Sequence, residues 1–280
     1  MGFLLVPVVV IAVLVVMAAT VRSIAAGLTV GLVVVSVLAW TGGDDRLAAA
    51  GAGAVAGAGV VLGYAARGQL GRGRALVLAA LPLTTAFATS AFTTERATFE
   101  AELARWVERE AAGSVDPEFQ AAMAGWLLGL VPASAGLVSF LLVLVAYGVA
   151  ARVFPRWGLD VERLAPFSAL ALPFWVVWSF AGALLAYVAG RASGVQWLLV
   201  LGKNLGLVHG AAFFAQGLAV GRNVLRERMV PAGIQVIVAV LTVFMMPFTI
   251  AAVVIGLLDQ WLDFRRLLAP PRAGPEDGGS

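Results

Sequence analysis

Phe3-Leu-Leu-Val-Pro-Val-Val-Val-Ile-Ala-Val-Leu-Val-Val-Met-Ala-Ala-Thr-Val-Arg-Ser-Ile-Ala-Ala-Gly-Leu-Thr-Val-Gly-Leu-Val-Val-Val-Ser-Val-Leu-Ala-Trp40 decides the fold class. Over this whole stretch the only charge is Arg22. A helix needs about 20 apolar residues to cross a hydrocarbon core roughly 30 Å thick, and two such runs stand here back to back, separated by Arg22-Ser23. The first run resembles a secretory leader, but it lacks a basic start and a second run follows at once, so a retained helix is expected. Backbone in lipid must satisfy its own hydrogen bonds, and runs of this length do so as α-helices.

The rest of the chain repeats the theme. The 280 residues are 61% hydrophobic and 12% charged, with a mean hydropathy of +0.95. Soluble domains carry about a quarter charged residues. Hydrophobic spans are expected near 3–21, 24–41, 47–66, 75–92, 124–151, 168–190, 196–220 and 232–258. The expected fold is therefore an all-α, polytopic membrane bundle of about eight helices, a single transmembrane domain over 1–268. One polar insert, 93–123, interrupts it. There Phe99, Leu103, Trp106 and Val107 recur at helical spacing, and residues 93–121 carry three arginines against seven acids. That pattern reads as an amphipathic extramembrane helix. Residues 269–280, rich in Pro and Gly, read as a disordered tail.

Eighteen arginines and one lysine give a formal net charge of +3. The arginines flank spans, with no basic stripe interleaved with aromatics, so nucleic acid is not an expected partner. Ten arginines fall on the side holding the connections 67–74, 152–163 and 222–228, against eight on the other. By the positive-inside rule that places both termini outside, a narrow majority that one miscounted span reverses. The expected location is the bacterial cytoplasmic (inner) membrane.

Chemistry is bounded by what is scarce. The chain has no Cys and one His, His209. No metal or other cofactor is expected, because imidazole and thiolate sites need more ligands than these. All sixteen acids lie in connections or at span ends. Nucleophile-base sets and paired carboxylates in mid-membrane lack their parts, so an enzyme is not expected.

The seventh span, "WLLVLGKNLGLVHGAAFFAQGLAVGRN" (197–223), is the polar exception. His209, Gln216 and Asn223 stand seven apart on one helical stripe, while Lys203, Gly206, Gly210, Gly217 and Gly221 share an adjoining face. Two readings stay open. The stripe lines a ligand cavity, or His209 and Gln216 make interhelical hydrogen bonds and the glycines pack against a neighbour. The sixth span holds "LPFWVVWSF" (172–180), with Pro173 as an expected kink and Trp175 and Trp178 as possible cavity walls. The candidate ligand-binding set is Lys203, Asn204, His209, Gln216, Trp175 and Trp178.

Three pieces in order, "RVFPRWGLDVERLAPFSALALPFWVVWSF" (152–180), "LGKNLGLVHGAAFFAQGLAVGRNVLRERMVPAG" (201–233) and "GLLDQWLDFRR" (256–266), resemble the YybS-like family of uncharacterised bacterial membrane proteins. The matching features are Asn204, the pair Gln216-Gly217, and a closing block with Asp259, Asp263, Phe264 and Arg265. The likeness covers roughly residues 124–268; in the first half it rests on span pattern and "GYAARGQLGRGRAL" (63–76). That superfamily is in turn similar to the substrate-binding membrane subunits of energy-coupling-factor transporters, and to small membrane proteins of rod-shape morphogenesis. The first likeness implies a transport-associated subunit that binds a small molecule and docks on a membrane coupling subunit and ATPases. The alternative reading, a non-catalytic structural or assembly protein of the cell envelope, rests on abundant close-packing glycines, the acidic insert and the absence of catalytic sets. Against the first, span one lacks the small-residue docking pattern of those subunits, and eight spans exceed their usual six.

Overall fold

The computed structural model describes residues 2–41, 46–93, 101, 105, 117–161, 163 and 166–267. Among these every regular element is helical, with no strand. The expected insert helix falls almost entirely outside the described residues, as does the tail 269–280. The chain divides into two compact units, Met1–Leu164 and Ala165–Ser280.

In the first unit, α1 (Gly2–Arg22), α2 (Ile24–Thr41), α3 (Arg46–Ala66) and α4 (Arg72–Thr93) occupy the first four apolar runs. Ser23 separates α1 from α2 and starts the second helix, its hydroxyl oxygen accepting the N–H of Ala26 at 3.0 Å. Between α3 and α4 the chain turns through Gly68, whose φ of +74° is open to glycine at no steric cost. Next come α5 (Pro117–Leu128) and α6 (Val131–Val153), the latter running into a 3₁₀ turn, Phe154–Trp157. The run 124–151, expected as one span, is thus broken at Gly129-Leu130.

The alanine- and glycine-rich α3 packs against α1, α2 and α4. Thin side chains permit this. A Cβ on Gly59 would lie 2.6 Å from Val16 Cβ and 2.9 Å from the carbonyl oxygen of Val13, and one on Gly63 would strike Thr20. Backbones this close gain dispersion contacts, which drive helix association in lipid where no hydrophobic effect separates helix from solvent. Thr20, fully buried, returns its hydroxyl to Val16 O at 2.8 Å. Tyr147, Phe154, Met17, Leu62 and Leu83 fill the remaining core.

The second unit begins with irregular chain and a 3₁₀ turn, Phe167–Ala169, and then enters α7 (Trp175–Ser193). Pro173 therefore does not kink a helix. It lies just before one, and its carbonyl accepts the N–H of Val176 at 3.0 Å. Gly194, at φ +71°, reverses the chain into α8 (Gln196–Glu227). At 32 residues, α8 outruns its expected end near 220 and is about 48 Å long at 1.5 Å per residue. The α7–α8 hairpin is closed by two glycines: a Cβ on Gly190 would strike the backbone of Leu199, and one on Gly202 that of Tyr187.

The run 232–258 is not one continuous helix. It forms α9 (Ala232–Phe244) and α10 (Met246–Leu262), bent by 100° at Met245. Pro247 is the cause. It has no N–H to continue the ladder, and its ring would clash with the carbonyl four residues back, whereas the first turn of a new helix accepts it. The Leu241 carbonyl keeps its helical donor, Met245 N–H, at 2.8 Å, and the Thr242 carbonyl, released by the break, accepts Thr249 Oγ1–H at 2.7 Å. A short α11 (Phe264–Leu267) follows.

Among the described residues three helical stretches are long and apolar enough to cross a membrane: Val131–Trp157, Trp175–Ser193 and Gln196–Glu227. The bent pair α9–α10 makes a fourth if counted as one span. Pro7–Arg22, Ile24–Val37, Ala50–Ala66 and Gly73–Thr89 are shorter apolar helices. The helical class expected from sequence holds, with three or four full spans and four shorter apolar helices among the described residues.

Candidate functional site: the helix seams and cavity of the second unit

The polar stripe of α8 faces its neighbours. His209 is 8% exposed, and both ring nitrogens are engaged. Nδ1 lies 2.6 Å from Leu205 O and Nε2 2.9 Å from Ser179 Oγ on α7. A carbonyl only accepts, so Nδ1 donates to Leu205 O, and in the neutral ring Nε2 accepts the Ser179 hydroxyl. Phe180 stacks beside the ring, with centroids 6.0 Å apart, and meets Phe213 edge-on at 5.4 Å.

Two turns along, Gln216 is 2% exposed and joins three segments. Its Oε1 accepts the backbone N–H of Leu172 at 3.2 Å and the Gln260 side-chain amide at 2.8 Å. Its Nε2 donates to Asp259 Oδ2 at 2.8 Å. The other oxygen of Asp259 accepts the N–H of Phe264 at 3.0 Å. One amide thus ties α8 to the chain before α7 and to the end of α10, where a carboxylate passes the tie on to α11. Between those ends Asp263 adopts φ +42°, a left-handed position that Asp tolerates better than most residues, and its N–H returns to Asp259 O at 3.3 Å. Asp263 also faces Arg266 at 3.8 Å, an exposed pair.

The α8–α10 crossing explains why this polar set is interior. A Cβ on Gly217 would land on the Ala252 carbonyl, and one on Gly256 on that of Phe213. The glycines expected to share a packing face divide differently. Gly217 is in close contact with α10, whereas a Cβ on Gly206, Gly210 or Gly221 would meet nothing within 4 Å. Asn223, the third stripe residue, is spent on Glu227 at 2.8 Å along the exposed side of the same helix.

The remaining candidates do not gather around His209 and Gln216. Trp175 and Trp178 are 65% and 70% exposed, on the outside of α7. Phe174 meets Trp261 edge-on at 6.0 Å, which joins the start of α7 to the end of α10. Lys203 is half-buried nearer the start of α8, and Asn204 Nδ2 returns to Val200 O at 2.8 Å.

A cavity of about 730 Å³ does exist, but lower on α8 and against the bent pair. Gly221 and Arg222 of α8, Ala239 and Thr242 of α9, Phe248 of α10 and Phe264 of α11 are among its lining residues. None of the six candidate ligand residues lines it; of the closing block, Phe264 does. The lining is apolar apart from Gln235, Thr242 and Arg222. Sequence reading missed this site because it treated 232–258 as one helix. The signal available was Pro247 inside that run.

Residues 2–260 match the predicted membrane protein family DUF2232, and the chain belongs to that family. No curated protein and no solved structure matches the chain.

Proposed function

From that membership we propose a non-catalytic membrane protein of the bacterial cytoplasmic membrane that binds a small molecule between α8 and the α9–α10 pair, as a transport-associated subunit. The observation that carries this reading is the cavity: about 730 Å³ lies within the roughly 300–1,000 Å³ of small-molecule sites, and an apolar wall with few polar groups is their usual lining. The likeness of 152–266 to YybS-like proteins, and through them to energy-coupling-factor substrate-binding subunits, supports the transport setting. In that setting a membrane coupling subunit with its ATPases is the partner.

Gly221 offers a test, because a Cβ there meets open space while the residue lines the cavity. Gly221→Trp should fill the cavity and leave the helix seams intact. Parent and variant are purified in parallel from the native membrane, and co-purifying small molecules are extracted and compared by mass spectrometry. A compound retained by the parent and lost from a well-folded variant is the expected result. Identical extracts from both would exclude the cavity as the binding site.

A further inference from the structure

We infer that the occupant of this cavity is an anionic amphiphile, an alkyl chain with one negatively charged head, and that Arg222 receives the head. The inference rests on the cavity being the binding site and adds the chemistry of what fills it.

The first observation is the accounting of polar groups in the lining. Thr242 donates its hydroxyl hydrogen to Val238 O at 2.7 Å, and Gln235 Nε2 donates to Val230 O at 2.8 Å. The Thr242 hydrogen is therefore spent on the protein's own backbone, and Gln235 keeps one N–H and its amide oxygen. Arg222 is the one ionisable residue lining the cavity among the described residues, and no hydrogen bond or ion pair within those residues engages it. A neutral ligand with several polar groups finds little there to pair with. A ligand with one anionic group and an otherwise apolar body matches the wall, since a guanidinium presents a planar fork of donors suited to carboxylate or phosphate.

The second observation is the wall itself. In α9 no residue is buried, and its two faces do different things. Gln235, Ala239 and Thr242 line the cavity, while Ile234, Ile237 and Phe244 are exposed on the other side. A single 13-residue, largely apolar helix thus forms that wall of the cavity. In a membrane protein the surroundings of such a helix are lipid chains, so an apolar body passes from bilayer to cavity without crossing water. Arg222 stands near the charged end of α8, with Arg226, Glu227 and Arg228 following, where a head group stays hydrated while its chain is buried. Arg226 itself reaches Ser168 Oγ at 3.4 Å and is less free to serve.

The test uses the full chain in neutral detergent and three probes: hexadecyl phosphate, hexadecanol and inorganic phosphate. Binding is read by native mass spectrometry on the parent, Arg222→Gln and Gly221→Trp, each checked for helicity and monodispersity. Hexadecyl phosphate should bind the parent at least about tenfold more tightly than hexadecanol, the scale of one charge-assisted contact. Arg222→Gln should remove that advantage and leave hexadecanol binding unchanged, and Gly221→Trp should abolish both. Inorganic phosphate alone should not bind. Unchanged preference in Arg222→Gln, with Gly221→Trp still blocking, would overturn the assignment of the head to Arg222 and leave the cavity as the site. Binding of both alkyl probes undiminished by Gly221→Trp would overturn the cavity reading as well. Inorganic phosphate binding as tightly as hexadecyl phosphate would overturn the amphiphile, because the apolar wall would then contribute nothing.

Discussion

Replacing Gln216 by Leu should loosen the second unit more than any other single polar-to-apolar change in α8. Leucine approximates the buried volume, so the effect isolates hydrogen bonding rather than a packing void. Three bonds disappear, and they leave the Leu172 N–H, the Gln260 amide and Asp259 Oδ2 without their partner. An orphaned buried polar group costs about 1–3 kcal/mol, but these three partners are only partly buried, and interhelical bonds in membranes average nearer 0.6 kcal/mol. The sum is about 2–4 kcal/mol. Asp259→Ala removes two accepted bonds, from Gln216 and from Phe264, for about 1.5–3 kcal/mol by the same reasoning. Because the two variants share one bond, the double variant should fall short of their sum by about 1 kcal/mol or more. Unfolding by sodium dodecyl sulfate in mixed micelles, followed by circular dichroism, measures all four corners of the cycle. Additivity within about 0.5 kcal/mol would show that Gln216 and Asp259 do not act as a unit. A Gln216→Leu variant as stable as the parent would refute the clamp altogether.

Three further outcomes follow from the same geometry. Gly217→Val and Gly256→Val place side chains on opposing carbonyls and should each cost more than about 3 kcal/mol or abolish monodisperse protein, whereas Gly206→Val and Gly210→Val, facing open space, should be tolerated; the same titration and size-exclusion profiles decide. Thr249→Val should free the Thr242 carbonyl, cost about 1 kcal/mol and broaden the α9–α10 angle, which distances between spin labels at Ile237 and Val254 would report; an unchanged distribution counts against the hydroxyl as the pin of the bend. In the first unit, Gly59→Leu and Gly63→Leu should separate α1 from α3 and reduce folded yield sharply, while Gly53→Leu, with nothing within 4 Å of its Cβ, should not.

Much of the helical architecture is written in long uncharged runs, because hydrocarbon leaves a chain few choices and helices satisfy their backbone locally. What the runs do not write is where they break. Apolar length alone cannot distinguish a straight span from two half-helices, and both 124–151 and 232–258 look continuous by hydropathy. Pro247 and Gly129 mark the breaks, yet proline and glycine are common in membrane helices that stay unbroken. The stripe on α8 is legible for a similar reason: a seven-residue spacing fixes which residues share a face. It does not fix what that face meets. His209 and Gln216 make hydrogen bonds to neighbouring segments, while the cavity lies beside other, mostly apolar residues. Trp175 and Trp178 were attractive as walls because aromatics line pockets, but the same side chains also suit an apolar exterior, and α7 places them there.

The closing block shows how a surface-anchor pattern and an interior role coexist in eleven residues. Basic residues and a tryptophan alone suffice to finish a membrane helix, so the two acids need separate causes. Asp259 lies on the face of α10 turned towards α8, where one oxygen takes the Gln216 amide and the other takes the Phe264 N–H. Its neutral analogue, Asn, would set an amide NH2 where one of these oxygens stands, facing a donor, which is a physical reason for a carboxylate at the end of an apolar helix. Asp263 takes the left-handed position at which α10 ends and α11 begins. Phe264, the next residue, lines the cavity. The line from Gln216 through Asp259 to Phe264 therefore connects the seam between helices to the wall of the cavity. Loss of the seam should misplace the wall, so Asp259→Ala should weaken hexadecyl phosphate and hexadecanol alike, unlike the head-group-selective loss in Arg222→Gln.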